Sequence, residues 1–470
     1  MAPRGRRDQG QGVKRRSTTQ GAERYEEYLA EFERVSRENG GGAGTPLAEL
    51  RQRAIARFGE LGFPTKKLEE WRFTSVLPIT ETTFELAKSG LSDVSRAQLS
   101  RFTFDTTPFN QLVFINGQYA PQFSLLESLP SGVNAGGLGE AVDQNPELVD
   151  QYLTRLEPYQ NEAFTALNTA FLFDGAFLRI PANVIVERPI HLLFVTTAHE
   201  AGTVHYPRVL ILAGENSQAC VLESYVGLHE TQYFTNAVTE IIVGPNAAID
   251  HYKLLQESLK AFHVARMHVS LDRASSFSSH AITLGGALVR NDVYALLDGE
   301  GVDCTLNGFY LANGRRLIDN HTTINHAKPN CSSHELYKGI LDDEGHGVFN
   351  GKIVVQLNAQ KTDAKQTNQS LLLSETALIN TKPQLEILAD DVKCTHGATV
   401  GQLDKDAMFY LRTRGLSYTQ ARSMLIHAFA SDILHRIKLK PVQAQLEHVL
   451  LGQLLLPAQD EPAVVDMDNG

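Results

Sequence analysis

Between Ile180 and Gly401 the hydrophobic pattern of this chain has a period of two. In HVARMHVSLD, His263, Ala265, Met267, Val269 and Leu271 alternate with Val264, Arg266, His268, Ser270 and Asp272. That rhythm places successive side chains on opposite faces of a strand. KIVVQLNAQ repeats it, with Ile353, Val355, Leu357 and Ala359 on one face, and RVLILAG and TEIIVG are similar. Turn-forming clusters stand at Gly214-Glu215-Asn216, Gly244-Pro245-Asn246, Asp272-Arg273-Ala274-Ser275, Gly299-Glu300-Gly301, Asn313-Gly314 and Asp343-Glu344-Gly345, separated by about fifteen residues or twice that. Short strands on this scale can close as a sandwich, a barrel or a solenoid. Recurrent spacing without a hairpin dipeptide at every turn favours the β-solenoid.

The flanks read differently. From Ala22 to Glu38 the residues Tyr25, Tyr28, Leu29, Phe32 and Val35 recur at helical spacing, and Gly40 to Gly44 break the pattern. A second helix is expected from Leu47 to Phe58, and a further helical region from about Glu147 to Leu172, interrupted at Pro158. Short strands such as Gln111 to Ile115 lie between them. After the β region, Asp404 can cap a helix from Lys405 to Arg414 that stops at Gly415. Ser417 and Gln420 make a capping box for a second helix through Ile437, and Pro441 opens a third. These helices are expected to pack on the solenoid end, with any exposed apolar remainder serving as a docking surface. The β body is expected to fold without them. The expected divisions are a disordered basic tail over 1–21, a mixed helical domain over 22–179, the β core over 180–401, a helical domain over 402–456 and a disordered tail over 457–470.

Charge and cysteine usage narrow the function. A net charge of −11 over 470 residues argues against bulk nucleic-acid binding. No apolar run reaches the roughly 18 residues of a membrane span, and no hydrophobic segment of a signal peptide follows the Arg-rich start. Four scattered cysteines, Cys220, Cys304, Cys331 and Cys394, make no disulfide framework, so a reducing cytoplasmic setting is expected.

Chemistry concentrates at KCTHGATVGQLDKDAMFYLRTRG, Lys393 to Gly415, where a strand gives way to a helix. Residues two apart on a strand share a face, so Val392, Cys394 and His396 form one row. A thiol and an imidazole are a soft ligand pair suited to iron, zinc or copper. Two ligands do not complete a tetrahedral site, and no CxxC lies nearby. Either a partner chain completes the site, or Cys394 is a packed free thiol beside a backbone-bonded histidine, and spacing alone favours the second reading. His321, His326, Cys331 and His334 read as HxxxxHxxxxCxxH, but spacings of five alternate faces along strands, so a structural role is expected for them.

The segment from Lys382 to Phe429, together with DNHTTINHAKPNCSSHELYKGIL and VFNGKIVVQLNAQKTDAKQTNQSLLLS, resembles the SufB/SufD family of the SUF iron–sulfur cluster assembly system. GFPTKKLEEWRFTSV resembles the SufD branch, and the first cysteine, Cys220, lies too far along for the N-terminal cysteine motifs of SufB. The resemblance spans about Tyr25 to Leu451, and His346 departs from it where Arg or Lys is expected. It implies a right-handed parallel β-helix with an N-terminal mixed region and a C-terminal helical domain. It further implies a non-catalytic scaffold that pairs with a SufB-like paralogue and docks a SufC-like ABC ATPase through its C-terminal helices; pairing with a second copy of itself is left open. Cys394 and His396 match the family's functional Cys and His. On that resemblance they become candidate ligands, shared with the partner chain, for an iron–sulfur cluster held transiently in the complex; flavin association is left open.

Other chemistries fail on their motifs. There is no GxxxxGK[ST], since Gly351-Lys352 is followed by Ile353, so ATP hydrolysis is expected from a partner rather than from this chain. A β-helical enzyme acting on polysaccharides needs paired carboxylates in one groove. Asp390 and Asp391 are adjacent and would point to opposite faces of a strand.

Overall fold

The computed structural model describes residues 12–38, 44–88, 91, 94–104, 108–153 and 160–454. Its body is a parallel β-solenoid with two strands per turn, which explains the doubled spacing of the turn clusters. One sheet stacks, in order, Ala176–Ile180, Arg208–Ala213, Tyr233–Val243, Phe262–Leu271, Leu288–Leu297, Leu317–His326, His346–Val355 and Leu378–Ile387. The facing sheet stacks Asn110–Ile115, Ile190–Thr196, Gln218–Gly227, Ala248–Gln256, Ser276–Thr283, Asp303–Ala312, Ser332–Leu341, Asp363–Leu372 and Lys393–Gly401. The chain alternates between the sheets and climbs one rung per circuit. The solenoid therefore starts earlier than Ile180, recruiting Asn110–Ile115 from the region read as mixed.

One corner is built the same way at every turn. Asn183, Asn216, Asn246, Ala274, Gly301, Asn330 and Lys361 all have positive φ. Each donates its N–H to a carbonyl one turn on: Glu215, Pro245, Arg273, Glu300, Pro329, Gln360 and Asp391 respectively. Asn and Gly tolerate the left-handed region better than other residues, which is why asparagines keep appearing among the turn clusters.

Two helical regions cover the two outer faces. On the first sheet, Tyr28, Phe32, Ala54, Ile55, Phe58, Trp71 and Phe164 pack against Val204, Tyr206, Phe234, Phe262, Val264 and Leu288. On the other, Ile426, Ala430, Ile433, Leu434, Val442, Leu446 and Leu450 bury Leu222, Tyr252, Leu254, Ile282, Phe309, Leu311, Leu336 and Ile340. The C-terminal helices Lys405–Thr413, Tyr418–Leu434 and Lys440–Leu454 start where expected, with Asp404 capping the first and the Ser417–Gln420 box formed. They lie on the flank of the solenoid and not on its end. The apolar outer face of the second sheet is what pulls them there.

The N-terminal helix runs Gly12–Glu38, starting within the expected basic tail, and the second runs Pro46–Leu61 behind a Thr45 cap. Within the expected helical region lie a π turn at Val149–Leu153 and the helix Ala163–Ala170, with Pro158 between them outside the described residues, and a further helix, Leu138–Gln144, precedes it. The rest of the basic tail, 1–11, and the expected 457–470 tail also lie outside the described residues.

The two ends of the solenoid differ. At the start, the antiparallel strands Gln118–Tyr119 and Asn134–Gly137 pair with the first rungs of the two sheets. At the finish, Leu378–Ile387 and Lys393–Gly401 each have a neighbour on one side only among the described residues.

Candidate functional site

The last rung carries Cys394 and His396. Ladder register places Cys394 beside Ala364, then Ser333, then Cys304, and places His396 beside Gln366, then Glu335, then Leu306. The residues beneath are interior ones: Ala364 and Gln366 are 1% exposed, Ser333 is fully buried and Glu335 is 3% exposed. Cys394 and His396 therefore continue columns of the solenoid core. His396 is exposed and Cys394 half-buried because, among the described residues, no further coil lies over them. Ala398 and Val400 complete this rung, and Ile379, Pro383, Leu385 and Ile387 occupy the matching interior columns of the facing sheet.

The backbone is open at the same place. Lys393 N–H donates to Thr362 O, toward the preceding rung. A strand residue turns its N–H and C=O to one side and the next residue turns them to the other. Cys394, His396, Ala398 and Val400 thus direct their main-chain groups outward, where an added strand would pair. In the facing sheet Leu378 and Leu388 N–H point back to the preceding rung, so Pro383 falls on the open side and removes one donor there.

The row expected from sequence is present. Val392 and Cys394 pack with Ile353, Val355, Ala359, Ala364 and Leu385, and His396 follows about 7 Å along the strand. Burial pushes the Cys394 thiol up, and the nearby Asp363 carboxylate adds to the effect. In the isolated chain burial therefore works against the thiolate. A ligand or a partner that supplied positive charge would release the proton.

The other sequence candidates do not converge. His321 faces the outer side of its sheet and meets Glu70 and Asp319, at 3.2 and 3.0 Å. His326 bonds Ser333 Oγ at 2.9 Å, the Cys331 thiol donates to Gly299 O at 3.2 Å, and His334 is exposed. His346 Nε2 is 2.7 Å from Asn380 Oδ1. Asp390 and Asp391 lie in the turn before the last strand and not within a strand. Among the described residues, no group of three or more His, Cys, Asp or Glu is placed to hold a metal ion, and no helix is long and apolar enough to cross a membrane.

Sequence reading missed Glu335 and Gln366. Counting one circuit back from His396 lands on Gln366, and a second lands on Glu335, so register is the signal that finds them.

A second exposed surface lies on the C-terminal helices. Phe409 and Tyr410 are 71% and 56% exposed, and Met424 on the next helix is 57% exposed. The helix Lys405–Thr413 buries none of its residues.

Comparison with known proteins agrees with this anatomy. Residues 194–429 match the family model described as SUF system FeS cluster assembly, SufBD core domain, and residues 22–192 match SufBD protein N-terminal region. The chain is 36% identical to an iron–sulfur cluster assembly SufBD family protein of Synechocystis sp., over 85% of this chain and 89% of that one. It is 32% identical to the iron–sulfur cluster assembly protein SufD of Escherichia coli, over 86% and 92%. To the SufD of Bacillus subtilis it is 26% identical, over 90% and 97%.

Proposed function

Because the chain belongs to the SufBD family of iron–sulfur cluster assembly proteins, we propose that it is a SufD-like, non-catalytic scaffold whose open solenoid end meets a SufB-like paralogue in a reducing cytoplasm. The observation that carries this reading is the uncovered last rung. Among the described residues, Cys394 and His396 stand on core columns that stop without a cap, beside unpaired strand edges. A partner presenting its own strand edges would satisfy the backbone and bury both side chains.

On this reading the cluster is cargo. The Cys394 sulfur and a His396 ring nitrogen are donors that iron accepts, and they supply two of the ligands a four-coordinate site needs. The partner supplies the rest, so the cluster is held only while the complex is intact. Phe409, Tyr410 and Met424 form the second contact, for a SufC-like ABC ATPase. That assignment is supported by their exposure and by the anchoring of the helix that carries Met424, through Lys338 to Phe429 O at 3.0 Å and Arg422 to Asp342 at 2.7 Å.

The test is co-expression with the paralogue and the ATPase, followed by anaerobic iron and sulfide analysis. Replacing Cys394 by Ser and His396 by Ala together should leave the three-subunit complex intact and remove most of its cluster. Normal cluster content in that variant would sink the site. Phe409→Asp with Tyr410→Ser should lose the ATPase and keep the paralogue; retention of the ATPase would move that contact elsewhere. A chain that dimerises with itself and ignores the paralogue would overturn the heterocomplex.

A further inference from the structure

Beneath His396 the core holds a pair of polar side chains that packing does not account for. Gln366 Nε2 donates to Glu335 Oε2 at 2.7 Å. The other amide atom, Gln366 Oε1, is buried and has no hydrogen-bond partner. A buried acceptor without a donor is costly and calls for an explanation.

The amide is held where it is. Across the core lies Gly351, and a Cβ added there would come within 2.2 Å of Gln366 Nε2. The glycine leaves the space that the amide fills. With one N–H committed to Glu335 Oε2, the Gln366 amide is oriented, and its unpartnered carbonyl oxygen is the acceptor left for a further partner. The next residue in its column is His396. Rungs lie about 4.8 Å apart, a gap that one hydrogen bond between an amide and an imidazole spans. A histidine that binds a metal ordinarily donates its other ring N–H to a carboxylate or carbonyl, which fixes its tautomer and orientation.

We propose that Gln366, anchored by Glu335, is the positioning residue of His396: in the assembled complex its side-chain carbonyl accepts the His396 ring N–H and turns the opposite ring nitrogen toward the partner. This rests on the reading of His396 as a site residue. Gln366 does not touch the cargo. It selects which nitrogen is bare and where it points, and Glu335 keeps the amide from rotating.

The experiment uses the co-expressed complex, with cluster content and histidine NMR of selectively labelled protein as readouts. Gln366→Leu should lower cluster yield about tenfold, in line with loss of an outer-sphere partner, and should shift the His396 ring signals to a mixture of tautomers. Combined with His396→Ala, it should lower yield no further than His396→Ala alone, whereas a merely structural role would add. Glu335→Leu should mimic it, and Glu335→Gln, which keeps a carbonyl for Gln366 to donate to, should restore yield. Should Gln366→Leu fail to assemble, Gln366→Met keeps the side chain's length without the carbonyl and carries the same expectation. Full yield in Gln366→Leu, a single unchanged His396 tautomer, or additive loss would overturn the proposal while leaving the His396 site standing. Normal yield in His396→Ala would instead remove the site itself.

Discussion

The Arg290 guanidinium lies 3.9 Å from the centre of the Trp71 ring, joining a strand of the solenoid to an N-terminal segment more than 200 residues away. The contact has a charged surround. Arg290 pairs with Asp292 and Asp319, both at 2.9 Å, and donates to Glu70 O at 2.6 Å. Thr74 donates to Asp319 at 2.5 Å. The LEEWRFT segment is thereby strapped across the first sheet.

Removing the cation should be severe. Arg290→Ala takes the guanidinium from buried Asp292 and Asp319 and leaves them only His321 and Thr74, a change that costs about 3–5 kcal/mol. Trp71 is the only tryptophan, so its emission reports the strap directly. Denaturant unfolding should show the loss, and native emission should shift to the red. An unchanged midpoint would mean that the strap contributes little.

The same strap should loosen in base. Burial alone would lower the His321 pKa, but Asp319 and hydrogen bonds to Asp319 and Glu70 outweigh it and hold it at about 9. An unfolded histidine titrates near 6.5. The stabilisation is therefore complete below about pH 6 and is lost as pH rises through 9, on the order of 3 kcal/mol. Stability measured at pH 6 and at pH 9.5 should differ by that order, and His321→Gln should flatten the difference. Equal slopes for the two proteins would contradict the assignment.

Thiol reactivity should follow position in the solenoid. Cys394 sits half-buried on the open rung, and Cys304 and Cys331 are buried. Burial pushes Cys220 up to about 12 beneath the C-terminal helices. Alkylation of the native chain, mapped by mass spectrometry, should find Cys394 first, with a rate that climbs as pH rises. Addition of the paralogue should protect it. Faster labelling of Cys304 would show that the interior opens.

Truncation at Leu403 should not yield a folded β body. Leu222, Tyr252, Leu254, Ile282, Phe309, Leu311, Leu336 and Ile340 would lose their cover, each losing about 1.5–3 kcal/mol of burial. The truncated chain should bind hydrophobic dyes and aggregate. A soluble, cooperatively unfolding fragment would show that the sheet stands alone.

Two corner residues are out of keeping with their neighbours. Ala274 has φ 53° and Lys361 φ 63° at a position filled by Asn in four other turns and by Gly in one. Ala274→Gly should raise stability by about 1 kcal/mol by relieving the left-handed strain. A lower melting temperature would mean that the methyl group packs better than the backbone suffers.

How much of this was legible in the sequence depends on which face a side chain took. The alternation after Ile180, the turn spacing and the helix caps at Asp404 and Ser417 were readable because each is a local signal. The destination of the C-terminal helices was not. In SSHELYKGIL both faces mix polar and apolar residues, with Leu336 and Ile340 outward and Ser333 and Glu335 inward beside Tyr337 and Leu341, so the strand does not show which face is covered until the helices over it are known. HVARMHVSLD alternates in sequence yet is buried at seven of its ten residues, on both faces, because N-terminal helices lie over its outer face. Cys394 and His396 were found as a row, but that the row ends a core column follows only from register.

The repeated corner makes the length of this body a whole-number quantity. Each left-handed residue donates to the carbonyl one circuit ahead, so a chain can gain or lose a full coil and still close every corner bond, whereas a partial coil leaves one corner without its acceptor. The distance between the capped start and the open finish can therefore change only in steps of one rung, about 4.8 Å, with the same columns emerging at the end each time. A body of this kind acts as a ruler, holding the pair at its last rung at a height set by the number of circuits.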